Sequence, residues 1–425
     1  MNHIDSSKNL LLKLQNEEKR NTATLHMTAN ENVMSNTASS FLSSNLSYRY
    51  YSDTYEKEDN LTDAKYYAVG QAMYRGLPSV YEFELLARGE ANKMFSANFS
   101  DFCPLSGMNA VICILTTITK PGDKVFIFTP ESLGHHATKM VLQNIGRKVL
   151  FIPWDNEKLC IDIERFAEEF SKNNDAIIFL DLGTTFYPLP LKEIRQIVGT
   201  KTKIVYDGSH VLGLIGGGQF QNPLQEGCDV LIGNTHKTFP GPQKAMMLYK
   251  DEDLGRRIAS EVFTTVVSSQ HTHHALALYV TIMEMAAHGK LYAEQIVKNA
   301  DTFSRELITQ GFNLVTRKEQ LPVSHMVGIK GGFPQDNQAS AARLYMAGIS
   351  CNTKKIFGNN CIRIGVQELT RRGMKEGEMR CIARFFKRII INKDPSVNFE
   401  IQELNNRFNK VMYSLDTEYH QYVKR

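Results

Sequence analysis

The chain has 425 residues, too many for one compact core and suited to two domains of ordinary size. Hydrophobic residues make up 42% and charged residues 22%, the balance of a globular enzyme rather than of a disordered or membrane-embedded chain. The net charge is only +4, and basic and acidic residues interleave as in Glu17-Glu18-Lys19-Arg20, which argues against the basic stripe of a nucleic-acid binder. Seven cysteines are scattered, odd in number and without metal-ligand spacing, so they read as thiols in a reducing compartment. No run reaches the roughly 18 apolar residues of a membrane helix, and the N-terminus lacks a signal-peptide pattern, so no membrane partner and a cytoplasmic location are expected.

Residues 1–27 read as a helical arm, with Leu10, Leu11, Leu12 and Leu14 among charges. Residues 28–285 read as a large domain in which short apolar runs (125–128, 149–152, 176–180, 204–206, 230–232 and 245–249) alternate with helical patterns. Such runs predict strands buried on both faces and joined by helical crossovers, an α/β three-layer architecture with a mainly parallel sheet. A long helical pattern begins near Leu276 and leads away from this sheet. Residues 286–425 read as a smaller α+β domain, with strands at 325–329 and 361–364 and helices around 339–346 and 376–387.

Two strand ends carry the chemistry. Asn234-Thr235-His236-Lys237-Thr238 follows the run ending at Ile232, and Tyr206-Asp207-Gly208-Ser209-His210 follows Ile204-Val205. Ligands of open α/β sheets bind at the carboxyl ends of strands, so a lysine and a carboxylate there face one crevice. A lysine that forms an imine needs lowered basicity and an electron-withdrawing partner, which a pyridinium paired with a buried carboxylate supplies.

At these residues the chain resembles the serine hydroxymethyltransferase family, in which a Thr-His-Lys sequence holds the cofactor lysine and an Asp-x-x-His sequence lies upstream. The resemblance spans residues 25–372. It implies the aspartate aminotransferase-type fold, a pyridoxal 5'-phosphate cofactor, and a homodimer or dimer of dimers with shared active sites. Lys237 would form the Schiff base, Asp207 would hold the pyridinium proton, His210 would lie near the ring and His236 near the phosphate. Ser106-Gly107-Met108, opening a helix, fits a phosphate cradle of backbone N–H groups, with Met108 in place of the family's second serine. His135 of Gly134-His135-His136 matches the ring-stacking histidine, with His136 as the alternative. Thr185, beside Thr184, is placed near the cofactor's phenolic oxygen.

Arg363 in Cys361-Ile362-Arg363-Ile364-Gly365 is the expected clamp for an amino-acid carboxylate, since a guanidinium binds it bidentately. Arg371 and Arg372 read as surface or structural residues. Glu31 in Thr28-Ala29-Asn30-Glu31-Asn32 matches the glutamate that handles protons in cleavage of β-hydroxy amino acids, with helix capping as the plainer role. Tyr74 aligns loosely with a substrate-facing tyrosine.

Three departures fall where the family holds folate: the acidic segment 52–59, His136, and the shortened Thr353-Lys354-Lys355-Ile356 stretch before Arg363. A fourth replaces a Gln-Gly-Gly-Pro segment by Gln270-His271-Thr272-His273-His274, where phosphate or substrate contact is expected rather than a metal. Intact aldol machinery beside an altered folate site predicts a folate-independent aldolase or transaldolase acting on a β-hydroxy amino acid and an aldehyde. The alternatives are a tetrahydrofolate-dependent serine hydroxymethyltransferase, another reaction at Cα (decarboxylation, racemisation or transamination), and an inactive partner protein of the same fold.

Overall fold

The computed structural model describes residues 3–51, 77–331, 336–356 and 358–418. Tyr74 and the acidic segment 52–59 lie outside the described residues.

A seven-stranded sheet runs in the order Phe99–Asp101, Ala245–Tyr249, Val230–Asn234, Ile204–Asp207, Ile177–Leu180, Lys124–Ile127, Lys148–Phe151. The last five pair in parallel, and Ala245–Tyr249 runs antiparallel to both its neighbours. Side chains alternate between two cores: Phe126, Ile178, Leu180 and Leu231 enter one, while Val125, Phe179, Val205 and Ile232 enter the other. Both faces are therefore covered, which is why these strands read as unbroken apolar runs.

The second sheet is antiparallel, in the order Asn313–Leu314, Met326–Gly331, Asn359–Gly365, Asn352–Ile356. Helix Thr272–Thr309 passes from the large sheet to this one, so the boundary expected near residue 285 lies inside a helix. On the far side Phe303 meets Phe386 of helix Glu376–Ile390 edge to face, with ring centroids 5.4 Å apart. The N-terminal segment also crosses over: Leu25–His26 pairs in parallel with Ile349–Ser350. Before it, helix His3–Thr22 leaves Leu10, Leu11, Leu12 and Leu14 exposed.

A buried ion pair ties the long helix to the C-terminal segment. The Arg371 guanidinium, fully buried, donates to Glu284 Oε2 and to the Tyr413 carbonyl, and Glu284 Oε1 accepts the Leu415 amide at 3.2 Å. Arg372 instead pairs with Glu368 one helical turn away, at 2.9 Å. Removing one member of a buried pair leaves the other charge uncompensated. Arg371→Met is expected to destabilise the fold by about 3–5 kcal/mol. The double variant Glu284→Gln/Arg371→Met should lose less, because no lone charge remains. Thermal unfolding midpoints of the three proteins check this, and a double variant worse than Arg371→Met contradicts it.

Candidate active site

The carboxyl ends of the parallel strands meet on one edge of the large sheet, and the small sheet closes over them. Asp207 ends its strand, Asp181 follows Leu180, and Lys237 lies three residues beyond Asn234. His135 reaches the same edge because the chain after Lys124–Ile127 doubles back, with Gly134 N–H donating to the Thr129 carbonyl at 2.8 Å. Only glycine fits at position 134: a Cβ there would stand 2.5 Å from the Phe128 carbonyl oxygen.

Two adjoining cavities open here. The smaller, about 140 Å³, is lined by Gly107, Met108, His135, Asp207 and Lys237 among others. The larger, about 430 Å³, is lined by Asn30, His135, His136, Lys354 and Arg363 among others. His135, Gly183, His210 and Lys237 border both.

Lys237 is 9% exposed, and its position is set by its backbone. Asn32 Nδ2 donates to the Lys237 carbonyl and to Tyr292 Oη. Thr238 Oγ1 donates to the His210 carbonyl at 2.8 Å and accepts the Gly213 amide at 3.0 Å. Burial lowers the Lys237 ammonium from its ordinary range to about 8; Asp207 opposes that shift and Arg363 adds to it. Its Nζ lies 3.4 Å from His210 Nε2. Burial, then the Lys237 charge, drives the His210 imidazole well below its usual range, so it is neutral.

Asp207 Oδ1 accepts the Ser209 amide at 2.9 Å, and Ser209 Oγ accepts the Asn234 amide at 3.0 Å. At the other end of the small cavity, helix Gly107–Ile118 begins. Ser106 Oγ caps it by accepting the Asn109 amide at 3.2 Å. Gly107 N–H donates to Asn234 Oδ1 at 2.7 Å, and a Cβ at 107 would stand 2.3 Å from that oxygen. A helix N-terminus is thereby pressed against the segment that carries Lys237.

Arg363 is 7% exposed and, among the described residues, meets neutral acceptors only: Asn352 Oδ1 at 3.1 Å, the Gly183 carbonyl at 3.1 Å, Thr184 Oγ1 at 3.4 Å and Asn30 Oδ1 at 3.0 Å. Burial lowers it to about 10. A buried guanidinium held only by neutral dipoles is poised for a carboxylate.

The structure brings Lys237, Asp207, His210, His135, Gly107, Met108 and Arg363 to one site, with Ser106 behind it. The Thr185 hydroxyl points to the Leu182 carbonyl at 3.4 Å, whereas Gly183 borders both cavities and the Thr184 hydroxyl accepts from Lys354 and Arg363. His236 is half-buried off both cavity walls, and burial, then Lys237, pushes its imidazole to about 4. Glu31 is exposed within one chain, and its backbone carbonyl accepts from Gln367 Nε2 at 2.7 Å. His271, His273 and His274 cluster at the start of the long helix with ring centroids 4.4 to 6.0 Å apart. Among the described residues, no group of three or more His, Cys, Asp or Glu side chains is arranged to hold a metal. No helix among them is long and apolar enough to cross a membrane.

Four contributors escaped the sequence reading. His325 lies parallel to His210 with centroids 6.3 Å apart, and its Nε2–H donates to the Ala29 carbonyl at 3.0 Å, which fixes its tautomer; burial lowers it to about 3. Asn30 and Asn32 flank Glu31: Asn30 Oδ1 accepts from Arg363, and Asn32 Nδ2 donates to the Lys237 carbonyl. Lys354 arrives from the small sheet and donates to Thr184 Oγ1 at 2.9 Å. A polar residue opening an apolar strand was the available signal for His325, and two lysines in place of a proline-rich stretch was the signal for Lys354.

A planar, phosphorylated pyridine aldehyde fits this geometry. Asp207 meets the ring nitrogen's requirement for an anion, Lys237 supplies the amine, and the helix at Gly107 supplies the positive end of a dipole for a phosphate. His210 Nδ1, buried and without a hydrogen-bond partner among the described residues, marks a polar wall built for a ligand. Fold and site together define a pyridoxal-phosphate enzyme of the aspartate aminotransferase type.

Comparison with known proteins narrows the class. Residues 4–386 match the family described as serine hydroxymethyltransferase. Serine hydroxymethyltransferase of Methanocella arvoryzae is 35% identical over 406 residues, covering 92% of each chain. Fluorothreonine transaldolase of Streptantibioticus cattleyicolor is 33% identical over 403 residues, 94% of this chain and 63% of that protein. The crystal structure of L-threonine transaldolase from Pseudomonas fluorescens in the internal aldimine state superposes with a TM-score of 0.89 at 27% identity, covering 99% of this chain and 98% of that one. The chain belongs to the serine hydroxymethyltransferase family, and its cofactor is pyridoxal 5'-phosphate.

The lowered basicity of Lys237 sets a testable pH dependence. Only the neutral amine attacks an aldehyde, so capture of pyridoxal phosphate by the apoenzyme should accelerate as pH rises through about 8 and then level off. Arg363→Met removes a neighbouring cation, which relieves repulsion of the ammonium and should move the inflection upward. Stopped-flow absorbance at a series of pH values reads both. An inflection near the ordinary lysine value of about 10.4 contradicts the assignment.

Proposed function

We propose that this enzyme cleaves and remakes the Cα–Cβ bond of a β-hydroxy amino acid of the serine/threonine class without tetrahydrofolate, passing the glycine unit to an aldehyde. The observation that carries the reading is the hairpin Asn352–Ile356/Asn359–Gly365, which sends Lys354 into the substrate cavity beside Arg363 from the stretch that holds folate contacts in the resembling family. The transaldolase relatives support it.

The cofactor, when bound, stores the electron pair left on Cα. The protein's own groups do the rest. Arg363 takes the substrate carboxylate in place of its neutral acceptors and so fixes the rotation of the Cα substituents. His135, which lines both cavities with Lys237, would stack on the bound ring. A base must remove the β-hydroxyl proton before the bond breaks. Glu31, exposed on a single chain, is assigned that part in a homodimer or dimer of dimers whose subunits share active sites. His135, kept from charging chiefly by burial, is the acceptor on the cavity wall itself.

The test is L-threonine with and without tetrahydrofolate. Acetaldehyde release in its absence is the expected result, and strict folate dependence overturns the reading in favour of a serine/glycine interconverting enzyme. Glu31→Gln is expected to slow cleavage by a factor on the order of 10²–10⁴ while leaving the cofactor's absorbance intact. Retained full activity in that variant would transfer the base role to His135.

A further inference from the structure

The substrate cavity holds more cations than the reaction so far described employs. Asp207 faces Lys237, and Arg363 is committed to the α-carboxylate of the amino acid. Lys354 has no such assignment. It stands two residues from Asn352 on the same strand, and alternation therefore puts both side chains on one face. Asn352 Oδ1 accepts from Arg363 Nε at 3.1 Å, while Lys354 Nζ and Arg363 share Thr184 Oγ1 at 2.9 and 3.4 Å. A buried guanidinium and a half-buried ammonium thus flank a single hydroxyl. Among the described residues, the charges that act on Lys354 are those of Arg363 and Lys237, both positive. Such a cluster is costly until a ligand brings the opposite charge.

The missing anion is not the cofactor's phosphate. The helix start at Gly107 and its partner Asn234 line the smaller cavity, and neither Lys354 nor Lys355 borders it. Both lysines line the larger one, Lys354 half-buried and Lys355 exposed. Gly183 gives Lys354 its room: a Cβ at that position would stand 3.2 Å from Lys354 Nζ.

We infer that Lys354, with Lys355 beside it, binds an anionic substituent, carboxylate or phosphate, on the acceptor aldehyde. The inference rests on the aldol reading above and names its acceptor class. The group transfer balances with L-threonine as donor. Cleavage releases acetaldehyde and leaves the electron pair of the broken bond at Cα. That pair forms the new bond to the acceptor's carbonyl carbon, whose oxygen takes a proton equivalent to the one lost from the threonine hydroxyl. The product is a β-hydroxy-α-amino acid with a second acidic group, so an acid-bearing aldehyde must be supplied by a preceding oxidation or cleavage.

Two arms test this on the holoenzyme. In the first, L-threonine is paired with succinic semialdehyde against butanal, and with glyceraldehyde 3-phosphate against glyceraldehyde. The wild type is expected to favour at least one anionic acceptor in kcat/KM by about tenfold or more, the scale of one charge-assisted hydrogen bond. Which pair shows the preference separates carboxylate from phosphate. The ratio should collapse in Lys354→Met and persist in Lys354→Arg, and a ratio is readable even where overall turnover falls. In the second arm, calorimetry compares succinate with butyrate, a dianion against a monoanion of similar length. Tighter binding of succinate by about tenfold, lost in Lys354→Met, supports the site. Equal kcat/KM for charged and neutral acceptors in the wild type, or a ratio untouched by Lys354→Met, overturns it. If threonine releases no acetaldehyde at all, the aldol reading falls, and the calorimetric arm alone decides whether Lys354 is an anion site.

Discussion

The site depends on one constraint: a primary amine is taken out of water at the end of a parallel strand, with the Asp207 carboxylate as its counter-charge. Burial dominates the attraction of Asp207, and the ammonium is left at about 8. That outcome needs a wall that does not yield. Thr238 and Gly213 supply part of it, since a Cβ at 213 would lie 2.2 Å from the Thr238 carbonyl oxygen and helix Leu212–Gly216 could not approach. Asn32 and Tyr292 supply another part, fastening the Lys237 carbonyl from the N-terminal segment and the long helix. The lysine is buried because three distant stretches of chain converge on its backbone.

This convergence decides what could be read from the amino-acid order. The strands were legible because both faces of the large sheet are covered, so apolar runs mark them directly. Strand ends were legible for the same reason, and they yielded Asp207, His210 and Lys237. Groups brought in from the second sheet were not, apart from Arg363. Lys354 and Thr184 are remote in sequence and meet only because the hairpin before Gly365 folds over the edge of the large sheet. Pairing Lys354 with Cys361 is a register fact that no local pattern encodes. Thr184 and Thr185 show the limit in miniature. Both are β-branched residues after a buried strand, and the turn sends only the first hydroxyl to the cations. The long helix hid the joint between the sheets, because an unbroken apolar pattern carries no mark at the residue where its packing partner changes.

Glu31 illustrates a different limit. Its motif places it beside Asn30 and Asn32, both of which touch the site, while its own side chain faces outward in a single chain. The segment turns there, with the Glu31 amide donating to the Thr28 carbonyl at 3.3 Å, and the glutamate side chain is left on the solvent side of that turn. A proton-handling role for that carboxylate is therefore tied to the proposed dimer, in which the outward face of one subunit would meet the site of the other.

The same burial that makes Lys237 nucleophilic also sets the state of the imidazoles. His135, His210 and His325 are each lowered by desolvation first, with neighbouring cations adding to it, and in His135 this prevails over the opposing pull of Asp207. They stay neutral at neutral pH, so the positive charge of the cavity comes from its lysines and Arg363, not from these imidazoles. A neutral imidazole can accept a proton where an imidazolium cannot, and it adds nothing to the repulsion among the cations. Desolvation thus does two things at once: it frees the lysine pair for attack, and it leaves neutral nitrogen bases around a cationic floor that favours an anionic substrate.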